Sequence, residues 1–140
     1  MNRTAKLVLG FAIALLVAFG SGWLWGSTGR WDAEARLRDI ELQLHLTQAR
    51  GGLLQARIDV FEVNFGQASR HLVAARSALR AASAELATRG RDDARTKADS
   101  ALASLGQAQQ LVGRLDQSAN ARAAQAVAQL DEVLAGVTAR

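Results

Sequence analysis

The sequence predicts an all-α chain: one N-terminal transmembrane helix followed by an antiparallel helical bundle of three long or four shorter helices. Three observations carry this. An uncharged apolar run stands near the N-terminus. Apolar residues recur four and three apart through most of the remainder. Proline, the strongest helix breaker, is absent from all 140 residues.

The apolar run, Leu7 to Trp25, is 19 residues without a charge, and about 20 apolar residues span a bilayer as a helix. Trp23, Trp25 and Trp31 cluster at its far end, where an amphipathic ring suits the membrane–water interface. Arg3 and Lys6 precede the run, so the positive-inside rule favours a cytoplasmic N-terminus and an exported C-terminal domain. The expected organisation is a head at 1–6, a membrane helix at 7–25, a juxtamembrane linker at 26–30 and a helical domain at 31–140. Ala18-Phe19-Gly20 also offers small residues at signal-peptidase spacing, and either outcome exports the domain. Gly10, Ala14, Ala18, Gly22 and Gly26 are spaced by four. Such small-residue stripes let a second helix backbone approach closely, which makes them candidate helix-packing positions.

In the domain, the first helix is expected over 31–63, with Leu42, Leu46, Ala49, Leu53, Ala56, Val60 and Val63 facing the core. Gly51-Gly52 is a weak point in it, open to a kink. Ile40-Leu42-Leu44-Leu46 alternates, which implies that this stretch is apolar on two faces and well covered. Asn64-Phe65-Gly66 reads as a turn. A second helix over 67–88 has Ala68, Leu72, Ala75, Leu79, Ala82 and Leu86 in phase. Gly90 signals its C-terminal stop, and Asp92 or Asp93 is expected to cap the next helix. That helix, 92–117, carries Ala94, Ala98, Ala101, Leu105, Ala108, Val112 and Leu115 in phase. A last one, 120–138, carries Ala119, Ala123, Ala126, Leu130, Val133 and Val137 in the same pattern. Short connections make neighbours antiparallel. The many alanines at core positions predict close packing but modest stability, open to completion by a second chain.

The chemistry of the side chains argues against catalysis. There is no cysteine, so no disulfide, thiolate nucleophile or thiolate metal site exists. His45 and His71 flank the turn near 64–66 at unequal distances, which keeps them about 20 Å apart in a hairpin. Asp92-Asp93 and Asp131-Glu132 are sequence neighbours and diverge by about 100° on a helix, which suits surface and helix-end roles rather than a proton-sharing dyad. No phosphate-binding glycine loop, nucleophile elbow or zinc spacing occurs. No cofactor or metal is expected. Of the net charge of +4, Arg3 and Lys6 supply two. The remaining signs are interleaved, as in Arg89, Arg91, Asp92, Asp93 and Arg95, so no nucleic-acid partner is expected.

Ala56, Asn64-Phe65, Ala68, Leu72 and Ala75 form a pattern of small and large residues around an Asn-aromatic turn. On these residues the stretch 56–79 resembles a tetratricopeptide helix pair. The resemblance implies a peptide-binding groove, which would lie between residues 53 and 115.

The function expected from the whole is that of a single-pass, membrane-anchored interaction or scaffold protein, an accessory subunit or assembly factor of a membrane complex. The expected partners are the lipid bilayer and a membrane protein, or a second copy, met through the transmembrane helix. Arginine outnumbers lysine fifteen to two and alanine is abundant, a bias of GC-rich bacterial genomes. The expected location is therefore the bacterial inner membrane, with the domain periplasmic. Alternatives are a ligand-binding or sensory bundle, with a pocket near Gly51-Gly52 or Phe61–Phe65, and the tetratricopeptide-like peptide binder.

Overall fold

The computed structural model describes residues 33–139. By contact the chain divides into two compact units, residues 1–39 and 40–140. In the first unit, residues 33–39 are helical with exposed side chains. The second unit holds the core. Its helices are α1, the segment 40–61 of the helical run 33–61, then α2 (Phe65–Thr88), α3 (Asp92–Gly113) and α4 (Ala119–Thr138). The expectation of an all-helical bundle with four helices holds, and no strand occurs among the described residues.

The helices form a closed ring. α2 packs on α3, and α3 on α4. α1 meets α2 at Gly52, beside Ala75. It meets α4 through Arg50, whose Nε donates to Asp131 at 2.7 Å, and Arg57, whose Nε donates to Asn120 at 2.9 Å. Residue numbers at these crossings run in opposite senses on the two helices, so α1 and α4 are antiparallel, as an up-and-down bundle requires. This closure differs from an open tetratricopeptide array, in which helix pairs stack side by side and leave a groove.

The heptad positions predict the core closely. Leu42, Leu46, Leu53, Leu72, Leu79, Leu86, Leu105 and Leu130 are fully buried, with alanines at about half of the buried apolar positions. With so many small side chains in the core, the helix axes can approach closely. Two expected core residues are instead at the surface: Val63 and Leu115. The apolar phase continues past the real helix ends, by two residues to 63 where α1 ends at 61 and by about one turn to 117 where α3 ends at Gly113.

The reason is a shared helix termination. Val63, Gly90 and Leu115 all have φ near +60°. In each case the N–H of that residue reaches the carbonyl three residues back: Val60, Ala87 and Val112. The following N–H, of Asn64, Arg91 and Asp116, reaches five back, to Asp59, Leu86 and Leu111. This is the Schellman pattern, which satisfies carbonyls orphaned at a helix end. It throws the left-handed residue out of the heptad face.

Helix starts also differ from expectation. Phe65 and Gly66 belong to α2, and Asn64 is its cap, its side chain accepting from the N–H of Gln67 at 3.3 Å. Neither Asp92 nor Asp93 caps α3; Arg91 holds the cap position without a side-chain bond, and both aspartates sit in the first turn. There their charge complements the helix dipole.

Gly51-Gly52 does not break α1, which is helical throughout. A Cβ on Gly52 would stand 3.1 Å from the Ala75 Cβ and 3.2 Å from the His71 carbonyl oxygen. Gly51 points into open space. Glycine at 52 is thus a condition of the close α1–α2 approach.

The apolar run 7–25 lies outside the described residues. Among those described, no helix is long and apolar enough to cross a membrane, so the transmembrane expectation draws no support from the fold.

Candidate functional site

Every expected site residue, namely Gly10, Ala14, Ala18, Gly22 and Gly26 for helix packing and Trp23, Trp25 and Trp31 for anchoring, lies outside the described residues. What the bundle itself presents is exposed apolar surface, clustered in two places, with Val73 standing alone on α2.

The first is the outer face of α1. Its core face is Leu42, Leu46, Ala49, Leu53, Ala56 and Val60, all buried. On the opposite side Ile40 is 61% exposed and Leu44 51%, with Ile58 and Phe61 exposed further along and Leu54 half-buried. The alternation through 40–46 does mark two apolar faces, but the outer one is uncovered, contrary to expectation. A bundle of four helices covers only the inner stripe of each, and nothing among the described residues covers Ile40, Leu44, Ile58 or Phe61. The signal was present in the sequence as a second four-three series, offset from the core series.

The second place is the bundle end carrying the α1–α2 and α3–α4 connections. Phe61 is 80% exposed, Leu115 68% and Val63 58%. Two of these three hold left-handed backbone, a conformation that a β-branched residue rarely adopts.

The polar groups of the bundle are structural in geometry. Asp59, nearly buried on α1, lies 2.6 Å from Nδ1 of His71 on α2. As Nδ1–H donates to the carboxylate, the buried charge is met. His45 is half-buried, and its Nδ1 is enclosed without a hydrogen-bond partner. The antiparallel register sets His71 level with Asp59, and His45 nearly four turns away along α1. The two histidines do not meet, as their spacing predicted. Ser83 donates to Asp99 at 2.7 Å and Ser104 to Gln129 at 2.8 Å, which ties α2 to α3 and α3 to α4. Asp131 accepts from Arg50 and raises its guanidinium pKa above the ordinary value, chiefly through the hydrogen bond.

Asp116 lies in the α3–α4 connection. Its Oδ1 accepts from the backbone N–H of Ser118 at 2.8 Å, and that bond holds its pKa below the ordinary 3.8. An open recess lies between the start of α3 and the end of α4, lined by Gly90, Asp92, Asp93 and Lys97 on one side and Glu132 and Gly136 on the other. Lys97 Nζ and Glu132 Oε2, 3.3 Å apart, pair across it. Among the described residues no group of three or more His, Asp or Glu side chains is placed to hold a metal ion.

No family model, curated protein or solved structure matches this chain.

Proposed function

We propose that this chain is a membrane-anchored interaction protein, in which Leu7–Trp25 is the anchor and the four-helix unit is the docking or scaffold module. The observation that carries the interaction half is the uncovered apolar face of α1. A monomer with no partner gains nothing from exposing Ile40, Leu44, Ile58 and Phe61, and such surfaces favour association. The anchoring half is supported by the uncharged run with Trp23, Trp25 and Trp31 at one end. Gly10, Ala14, Ala18, Gly22 and Gly26 supply helix-packing positions in it. In this reading the chain is an accessory subunit or assembly factor without catalysis of its own, at the bacterial inner membrane with the bundle exported.

The closed ring of helices disfavours the peptide-groove alternative, because α4 stands against α1 where an array would open. The ligand-binding alternative has only the enclosed Nδ1 of His45 in its favour.

The test is fractionation of native membranes with carbonate extraction, then sizing of the complex in mild detergent. Retention in the carbonate pellet and a particle larger than one chain are expected. Release by carbonate would overturn the anchor. A Gly22→Leu/Gly26→Leu variant should yield a smaller particle; an unchanged one would remove the small-residue stripe from the reading.

A further inference from the structure

The outer face of α1 carries its own repeat. Ile40, Leu44, Leu54, Ile58 and Phe61 fall at the two apolar positions of a heptad, and Thr47 and Gly51 occupy the two remaining ones. In the same sequence phase, Leu37 is one heptad upstream of Leu44. Sustained four-three spacing on a solvent face is the signature of a coiled-coil seam. The core series of α1 is a separate four-three set, already used within the bundle, and of the seam residues Leu54 also packs partly against that core.

We propose that two copies of the chain pair through this face, α1 against α1, in parallel. The charges beside the seam favour this occupant and this direction. On the flank toward α4 stand Gln43, Arg50 and Arg57; on the flank toward α2 stand Glu41, Gln48, Gln55 and Glu62. In a parallel pair, each residue of the first flank meets the residue five positions later on the second copy's opposite flank. Arg57 then faces Glu62 of the second copy, Arg50 faces Gln55 and Gln43 faces Gln48. No like charges oppose. An antiparallel pair would set each flank against itself, arginine against the arginine flank and Glu41 against Glu62, and like charges across a seam disfavour it.

The bonds within the bundle prepare this flank. The Nε atoms of Arg50 and Arg57 donate to Asp131 and Asn120, which pins both side chains alongside the seam. A Cβ on Gly51 would meet nothing within 4 Å, so a second backbone can come close at mid-seam. Two chains anchored by the same N-terminal segment share one direction, and confinement to a bilayer raises their effective concentration. To that extent the parallel arrangement rests on the anchoring proposed above; the pairing surface does not.

The chain has no cysteine, so single cysteines report the pairing directly. Full-length Leu44→Cys and Ile58→Cys, oxidised in native membranes, should each form a same-residue disulfide dimer, and Gln107→Cys on the far side should not. Crosslinking only when Leu44→Cys and Ile58→Cys are mixed would show an antiparallel pair and overturn the proposal. Absence of any dimer at 44 and 58 would overturn it as well. Adding Leu44→Glu to the Ile58→Cys chain should cut the dimer by about tenfold or more with an unchanged circular dichroism spectrum, since Leu44 lies outside the core. An undiminished dimer would overturn the seam. Carbonate fractionation of the same samples separates the two readings. Crosslinked chains in the soluble fraction would defeat the anchor and keep the seam, and uncrosslinked chains in the pellet would do the reverse.

Discussion

Gly52 on α1 lies so close to Ala75 on α2 that a methyl group at residue 52 would stand 3.1 Å from the Ala75 Cβ. Its sequence neighbour Gly51 meets nothing. Two adjacent glycines in one helix therefore have opposite meanings.

They should respond oppositely to substitution. Gly51→Ala removes a helix-propensity penalty at no steric cost and should stabilise by up to about 1 kcal/mol. Gly52→Leu forces α1 and α2 apart against backbone and Cβ atoms, and should cost about 1–3 kcal/mol. Urea denaturation followed by circular dichroism at low protein concentration measures both. Equal effects at the two sites would contradict the packing described.

The pair formed by Asp59 and His71 should be asymmetric in the same assay. His71→Ala leaves a nearly buried carboxylate without its donor, at a cost of about 1–3 kcal/mol. Because the histidine is partly exposed, the lower end of that range is expected. The double variant Asp59→Asn/His71→Ala should recover part of the loss, because no unpaired charge remains. A double variant as unstable as the sum of the two singles would show that the residues act independently.

Asp116 should contribute to acid sensitivity. Its pKa in the folded chain is depressed by the Ser118 N–H, so the folded state favours the carboxylate. The stabilisation is fully present above the ordinary 3.8 and is lost as pH falls through the lower folded value. Asp116→Asn should therefore be less stable than the wild type at pH 7, and the difference should shrink below pH 3.8. A difference that is constant across this range would sink the assignment.

The three helix ends allow a matched comparison. Val63→Gly and Leu115→Gly place glycine where φ is already positive and should each raise the melting temperature, by about 1 kcal/mol in stability. Both side chains are largely exposed, so little burial is lost. Gly90→Ala should lower stability by a similar amount. If Val63→Gly weakens an intermolecular complex while stabilising the chain, the strained end is itself part of a contact surface.

Much of this was legible in the residues. The core heptads of all four helices are buried where the four-three spacing sets them, and Gly90 ends α2 as glycine does. The expectation failed at Val63 and Leu115 for one physical reason. Both fit the apolar phase, and neither is glycine, so nothing local announces that the helix has already closed in a left-handed residue. The second apolar face of α1 was also visible as alternation through Ile40-Leu42-Leu44-Leu46, but whether anything covers it is a fact about neighbours.

The sequence by itself determined the helices, their inward faces and their antiparallel order, because periodicity and connection length act along the chain. Only the tertiary structure decided that α4 closes on α1 through Arg50 and Arg57, that Asp59 meets His71, and that Gly52 rather than Gly51 bears the contact. Those relationships depend on the register between helices, which is fixed by the packing of all four at once and is written in no single segment.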